Sequence, residues 1–231
     1  MPTWGMHLLV AKKLNKKLKI KDYNLFLIGN IITYINNGYL VQNVSKVIPH
    51  KETHYYSGKK DEKTGQIMFY DVEKFIQDNK ENLKEPLVLG YITHLLTDVY
   101  WNDLTYAEHG IRDENGKLIG LKLNNGQELL GDGEERRKTK VNDFKIFTNY
   151  LYMNKLIDLP QYDEKAYNIA KTIKCISLEK EDIQKAIHNI NVVKNGIPTL
   201  KLEYKIFNNE EMLENIDKCT QYVLKNIENI I

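Results

Sequence analysis

Four side chains stand out for the chemistry their types and spacing allow: His7, His54, His94 and Asp98. His94 and Asp98 fall four apart in the run GYITHLLTDVYWND, residues 90–103. On a helix, positions i and i+4 stack on one face. That face also carries Tyr91, Leu95 and Trp101, so it is expected to point inward. A buried carboxylate beside a buried imidazole needs a partner, because an uncompensated buried charge is costly. Two arrangements supply one. The pair hydrogen-bonds to itself or to nearby backbone, or it holds a divalent metal that neutralises the carboxylate and takes the imidazole lone pair. The spacing is the one by which HExxH helices present two zinc ligands. His7 shares a stripe with Ala11, Leu14 and Leu18 and is expected to face the core too, whereas His54, in HKETHYY, stands in a loop before a glycine-rich turn. Together, three histidines and an aspartate can fill a zinc coordination sphere. Gly90, one turn before His94, would let another backbone or a ligand come close.

The order of these residues resembles the zinc-dependent phospholipase C family, whose wider fold includes single-strand nucleases. The resemblance covers roughly residues 4 to 104. It rests on Trp4 and His7, on FLIGNII (26–32) followed by Tyr34, on the histidine of KETH (51–54), and on GYITHLLTDVYWND. It implies an all-α fold, a single multi-helix domain over residues 1–231, holding one to three zinc ions that hydrolyse phosphodiester bonds. Carried over position by position, the ligands are His7, His54, His94 and Asp98, with Asp98 bridging two metals and taking the catalytic role. The nucleophile is then metal-activated water, and no serine or cysteine nucleophile is required. The family places a further histidine downstream, for which His109 in AEHG is the candidate. The implied substrate is a phosphodiester small molecule or a phospholipid head group. Lys12, Lys13, Lys16 and Lys17 offer peripheral contact with an anionic membrane surface, although such a run reads first as a solvated face.

Two departures from the family pattern matter. After the second helix the family reads GNIxPD, whose aspartate ligates zinc; here residues 29–34 read GNIITY, with Tyr34 in that place. In secreted members a processed N-terminal tryptophan binds metal through its amine and carbonyl. Here three residues precede Trp4, which reads as a packing residue. An alternative therefore stands beside the hydrolase: a family member that keeps the fold, binds one metal or none, and has lost or changed its catalysis.

Helices must position these groups, and helical periodicity dominates the chain. Trp4 to Leu18 forms one stripe, and Asn24 to Asn36 reads as a second, almost fully apolar helix. A loop with Pro49, His50 and His54 and a polar turn over Gly58–Gly65 lead to a third helix, Phe69 to Asn79. Pro86 opens a fourth, running to about Leu104. Asn115-Gly116 and Asn125-Gly126 are strong turn signals around Lys117–Leu123, which predicts a short hairpin or flap within 112–133. Helix resumes at Gly133, where Asp132, Glu134 and Glu135 suit a helix start. Further helices are expected over Glu164–Lys174, Glu179–Val193 and Asn209–Ile230.

Composition sets the bounds. The chain has 231 residues, 33 basic and 31 acidic, for a net charge of +2, without the basic surplus of a duplex nucleic-acid binder. Cys175 and Cys219 lie in apolar helical patterns without CxxC spacing and read as free buried thiols. The longest strongly apolar stretch, Leu25 to Ile35, is well short of the ~18 residues that a membrane span requires. With no targeting pattern at the start, a cytoplasmic protein is expected. His50 and His188 read as structural or surface residues.

Overall fold

A computed structural model describes residues 2–58, 70–192, 203–228 and 230. The fold is mostly helical, with one small antiparallel sheet. Its axis is α6 (Pro86–Asp103), in which Leu87 to Asp98, Trp101 and Asn102 are all buried. A helix apolar on every side belongs in the middle of a core, and Pro86 at its first position has no N–H to leave unsatisfied. Around it pack α1 (Trp4–Leu18), α2 (Tyr23–Gly29) and α10 (Asn209–Ile227), with α7 (Gly133–Met153) against the other side of α1.

The expected second helix is interrupted. It runs as α2 to Gly29 and restarts as α3 (Ile32–Asn36). Two features explain the break, one local and one tertiary. Asn30 turns its side-chain amide back onto the Phe26 carbonyl (2.9 Å), competing with the helical ladder. Gly29 and Gly90 bring α2 and α6 into backbone contact: a Cβ on Gly29 would stand 2.0 Å from the Leu87 carbonyl oxygen, and one on Gly90 2.3 Å from that of Phe26. The break turns Asn30, Thr33 and Tyr34 toward α6, and all three are buried.

The loop after α3 carries the single turn α4 (His50–Thr53), which ends at His54, and α5 (Val72–Asp78) is capped by Asp71, whose carboxylate accepts from the Lys74 amide. Most of the polar turn expected over 58–65, and Phe69 at the expected start of that helix, lie outside the described residues, as does Val193 at the expected end of α9 (Lys180–Val192). Past Asp103 the helix continues through a wider turn, Leu104–Glu108, into β1 (Gly110–Arg112), β2 (Leu118–Lys122) and β3 (Glu128–Leu130). These strands pair in the order β1-β2-β3, so the expected hairpin is a three-stranded meander. Its turns place Gly116 at φ +75 and Gly126 at φ +81, a region glycine enters without steric cost. The remaining helix, α8 (Glu164–Ala170), ends four residues before the expected Lys174, and α10 ends at Ile227 rather than Ile230. Asp132 caps α7 by accepting from the Glu134 and Glu135 amides, so this acidic run builds a helix start.

Candidate metal centre

His7 on α1, His54 at the end of α4, and His94 and Asp98 on α6 converge in the core, each with 0 % of its surface exposed. The His54 and His94 Nε2 atoms are 3.0 Å apart. Asp98 Oδ2 lies 3.3 Å from His54 Nε2 and 3.5 Å from His94 Nε2. Its other oxygen, Oδ1, faces His7 Nε2 at 3.5 Å. Neither carboxylate oxygen accepts a well-formed hydrogen bond among the described residues.

Two backbone carbonyls assign the protons. The Nδ1 of His94 lies 2.8 Å from the Asn30 carbonyl, and that of His54 lies 3.1 Å from the His50 carbonyl. A carbonyl only accepts, so these contacts draw a donor from each Nδ1, with the Thr53 hydroxyl also 2.9 Å from that of His54, and leave both Nε2 atoms facing the centre. This is the outer-shell pattern that orients imidazole ligands on a metal. Two Nε2 atoms and a carboxylate oxygen within 3.0–3.5 Å of one another require a proton or a metal cation among them. Their spacings match the roughly 3.3 Å that separates ligand atoms on a tetrahedral zinc with bonds of about 2.0–2.1 Å. The residues present therefore fit a zinc-type ion. Thr33 Oγ1, 3.0 Å from His94 Nε2, borders the same space.

Proximity alone also groups His7 with His94 and Asp98, whose ligand atoms lie within 4.8 Å of one another. Ring orientation argues against one ion shared by both imidazoles. The His7 and His94 rings are stacked, 3.9 Å apart and 8° from parallel. An imidazole lone pair lies in its ring plane, so two parallel planes at that separation cannot both aim at one ion at bonding distance. His54 and His94 are tilted by 63° and can. On these ring planes His54, His94 and Asp98 Oδ2 are the set that would be able to share one ion, with His7 on the Oδ1 side.

Electrostatics suits that arrangement. Burial pushes the pKa of His7 well below its ordinary value, helped by His94, and burial likewise lowers that of His54. Burial alone would raise the Asp98 pKa, but the contacts with His94, His54 and His7 outweigh it and hold the carboxyl well below its usual range. Metal binding calls for an ionised carboxylate, the form toward which Asp98 is held. Around this core, burial and then Asp98 raise the pKa values of Tyr34 and Tyr70, so both remain phenols.

Of the other residues considered, Tyr34 lies beside His7, its hydroxyl 3.1 Å from Nε2. His109 is elsewhere. Eleven residues of continuous helix separate it from Asp98, roughly 16 Å of rise, and its ring packs on Phe207. His50, read from sequence as structural or surface, stacks on His54 at 3.6 Å, with its Nε2 buried and unpartnered. Asn30, Thr33 and the His50 carbonyl were not expected as orienting groups, because one of them acts only in tertiary contact and two act through backbone oxygens. The sheet does not cover the centre: Lys122 donates to the His109 carbonyl and Asn124 to that of Lys205, which anchors the sheet at the far end of α6. Cys219 is buried and Cys175 half-buried, its sulfur 3.1 Å from the Tyr91 hydroxyl.

Comparison with protein-family models, curated proteins and solved structures gave no match to this chain.

Proposed function

We propose that this protein is a divalent-metal protein of the zinc type, acting as a phosphodiester hydrolase of the phospholipase C kind that its residue order resembles. One observation carries the metal assignment: the buried convergence of two imidazole Nε2 atoms and a carboxylate oxygen within 3.0–3.5 Å of one another, on rings whose Nδ1 atoms face backbone carbonyls. Three protein ligands leave a fourth position open, which is the pattern of catalytic rather than closed structural zinc sites. When bound, such an ion supplies Lewis acidity toward a phosphoryl oxygen and lowers the pKa of a coordinated water. The chain's own residues then divide the work. Asn30 and His50 fix the imidazole tautomers through their carbonyls, and Asp98 supplies the negative charge. Thr33 places a hydroxyl at the open side. Tyr34 and Tyr70 exclude water. Tyr39, 60 % exposed, stands with its ring 6.2 Å from Tyr34 and 6.4 Å from His50, and so marks a side from which a substrate would approach.

Complete burial of all four residues favours a second reading, in which the ion is retained for structure and no substrate reaches it. The two readings separate in one experiment. The protein is dialysed against zinc, exchanged into metal-free buffer, analysed for metal, and assayed on an activated phosphodiester and on short-chain phosphatidylcholine. The proposal expects retained zinc and hydrolysis, both lost in His94→Ala. Retained zinc without hydrolysis supports the structural ion, and no retained zinc overturns both.

A further inference from the structure

The Asp98 carboxylate has two oxygens facing two different environments, and only one is arranged for a cation. Oδ2 meets the converging Nε2 atoms of His54 and His94. Oδ1 meets His7, and His7 meets Tyr34. The Tyr34 hydroxyl donates to the Pro2 carbonyl, a group that can only accept. With its proton committed there, the phenol oxygen accepts from His7 Nε2, which places the His7 proton on Nε2 and leaves Nδ1 as the buried, unpartnered nitrogen. A second ion at Oδ1 would need His7 Nε2 as a lone pair and a further charged donor. The position holds an N–H and a neutral phenol instead.

We infer that Tyr34 limits this centre to a single metal ion, by engaging His7 as a hydrogen-bond donor and filling the space beside Asp98 Oδ1. The inference rests on the metal assignment proposed above and adds a determinant of nuclearity to it. His7 becomes a positioning residue that steadies the carboxylate, and the ion belongs to His54, His94 and Asp98. The His7–His94 stack points the same way, because parallel ring planes keep the His7 nitrogens out of line with an ion that His94 would ligate.

The test is metal stoichiometry after saturation with zinc(II), by elemental analysis, with cobalt(II) titrations followed by absorption. Wild type and Tyr34→Phe are expected to bind one ion per chain, with no tyrosinate band appearing on metal addition. Tyr34→Asp, which exchanges the phenol for a small carboxylate beside His7 and Asp98 Oδ1, is expected to bind two. His7→Gln retains an N–H donor near the Nε2 position and is expected to keep its one ion with less than a tenfold change in affinity, whereas His54→Gln loses more than a hundredfold. Two ions in wild type, or a folded Tyr34→Asp that still binds one, would overturn the inference. If Tyr34→Asp fails to fold, His7→Gln decides: loss of the single ion makes His7 a ligand and the inference wrong. No ion in wild type removes the metal assignment itself, an outcome distinct from each of these.

Discussion

At the scale of single residues, Asp98 is the centre of the argument. It is wholly buried and ionised, and it makes no well-formed hydrogen bond among the described residues. Such a group is tolerated where a cation completes it. Loss of the charge should therefore show in the response to metal more than in the fold. At free zinc about 100 times the Kd, ligand binding adds about 2.7 kcal/mol to stability, which for a chain of this size raises Tm by roughly 5–10 °C. Asp98→Asn and His54→Ala should abolish that rise in a thermal melt. His109→Ala, altering a residue more than two helical turns away, should keep it. A loss of the zinc response in His109→Ala would place that histidine back among the ligands. The Asn30 and His50 carbonyls orient the two imidazoles from behind, contacts of a kind whose loss typically costs 10–100-fold in metal affinity where a metal is bound.

At the scale of elements, the centre depends on how closely α2 approaches α6. Gly29 and Gly90 face each other across that contact, and either Cβ would meet backbone oxygen rather than a movable side chain. The same approach brings the Asn30 carbonyl to His94 Nδ1. Gly90→Ala should therefore push the helices apart, costing about 1–3 kcal/mol from overpacking and weakening zinc binding as well. Denaturant titration and zinc titration of this variant test both effects. A variant with wild-type zinc affinity would show that the close approach does not position His94. Elsewhere, Asp143 on α7 accepts from the Lys205, Ile206 and Phe207 amides and fastens the segment before α10. That anchor is structural and lies outside the histidine–aspartate cluster.

For the whole molecule, the buried histidines set the response to acid. Burial lowers the pKa values of His7 and His54, and burial with His54 lowers that of His50 to about 2. The unfolded chain, with histidine pKa near 6.5, takes up protons that the folded chain refuses, so stability is full above about pH 6.5 and falls as pH drops through it. Asp98, held below its ordinary value, adds stability that is present above about pH 3.9 and is lost only further down. Between about pH 7 and pH 5.5 the three imidazoles together should cost up to about 3–4 kcal/mol, read as a fall in Tm in the presence of a chelator. A flat Tm across that range would show that these rings already carry protons in the fold. Among the described residues no helix is long and apolar enough to cross a membrane.

Much of this was legible in the linear chain. The i, i+4 spacing placed His94 and Asp98 on one helical face, the stripe from His7 to Leu18 turned His7 inward, and proline, glycine and capping residues marked most helix boundaries to within a few positions. These features are local, set by backbone periodicity and by the nearest hydrogen bonds, so composition and spacing are enough to reveal them. Tertiary structure decided the rest. The almost fully apolar character of 24–36 hid the interruption at Asn30, because what separates α2 from α3 is in part a glycine contact with a helix some sixty residues away. His50 and His54 were legible only as loop histidines, and it is the fold that stacks one on the other and brings the second to α6. Which imidazoles can share an ion depends on ring planes, and whether Tyr34 is a ligand or a plug depends on where its proton goes. Spacing along a chain carries neither quantity, because both are set by groups that meet only after the helices have packed.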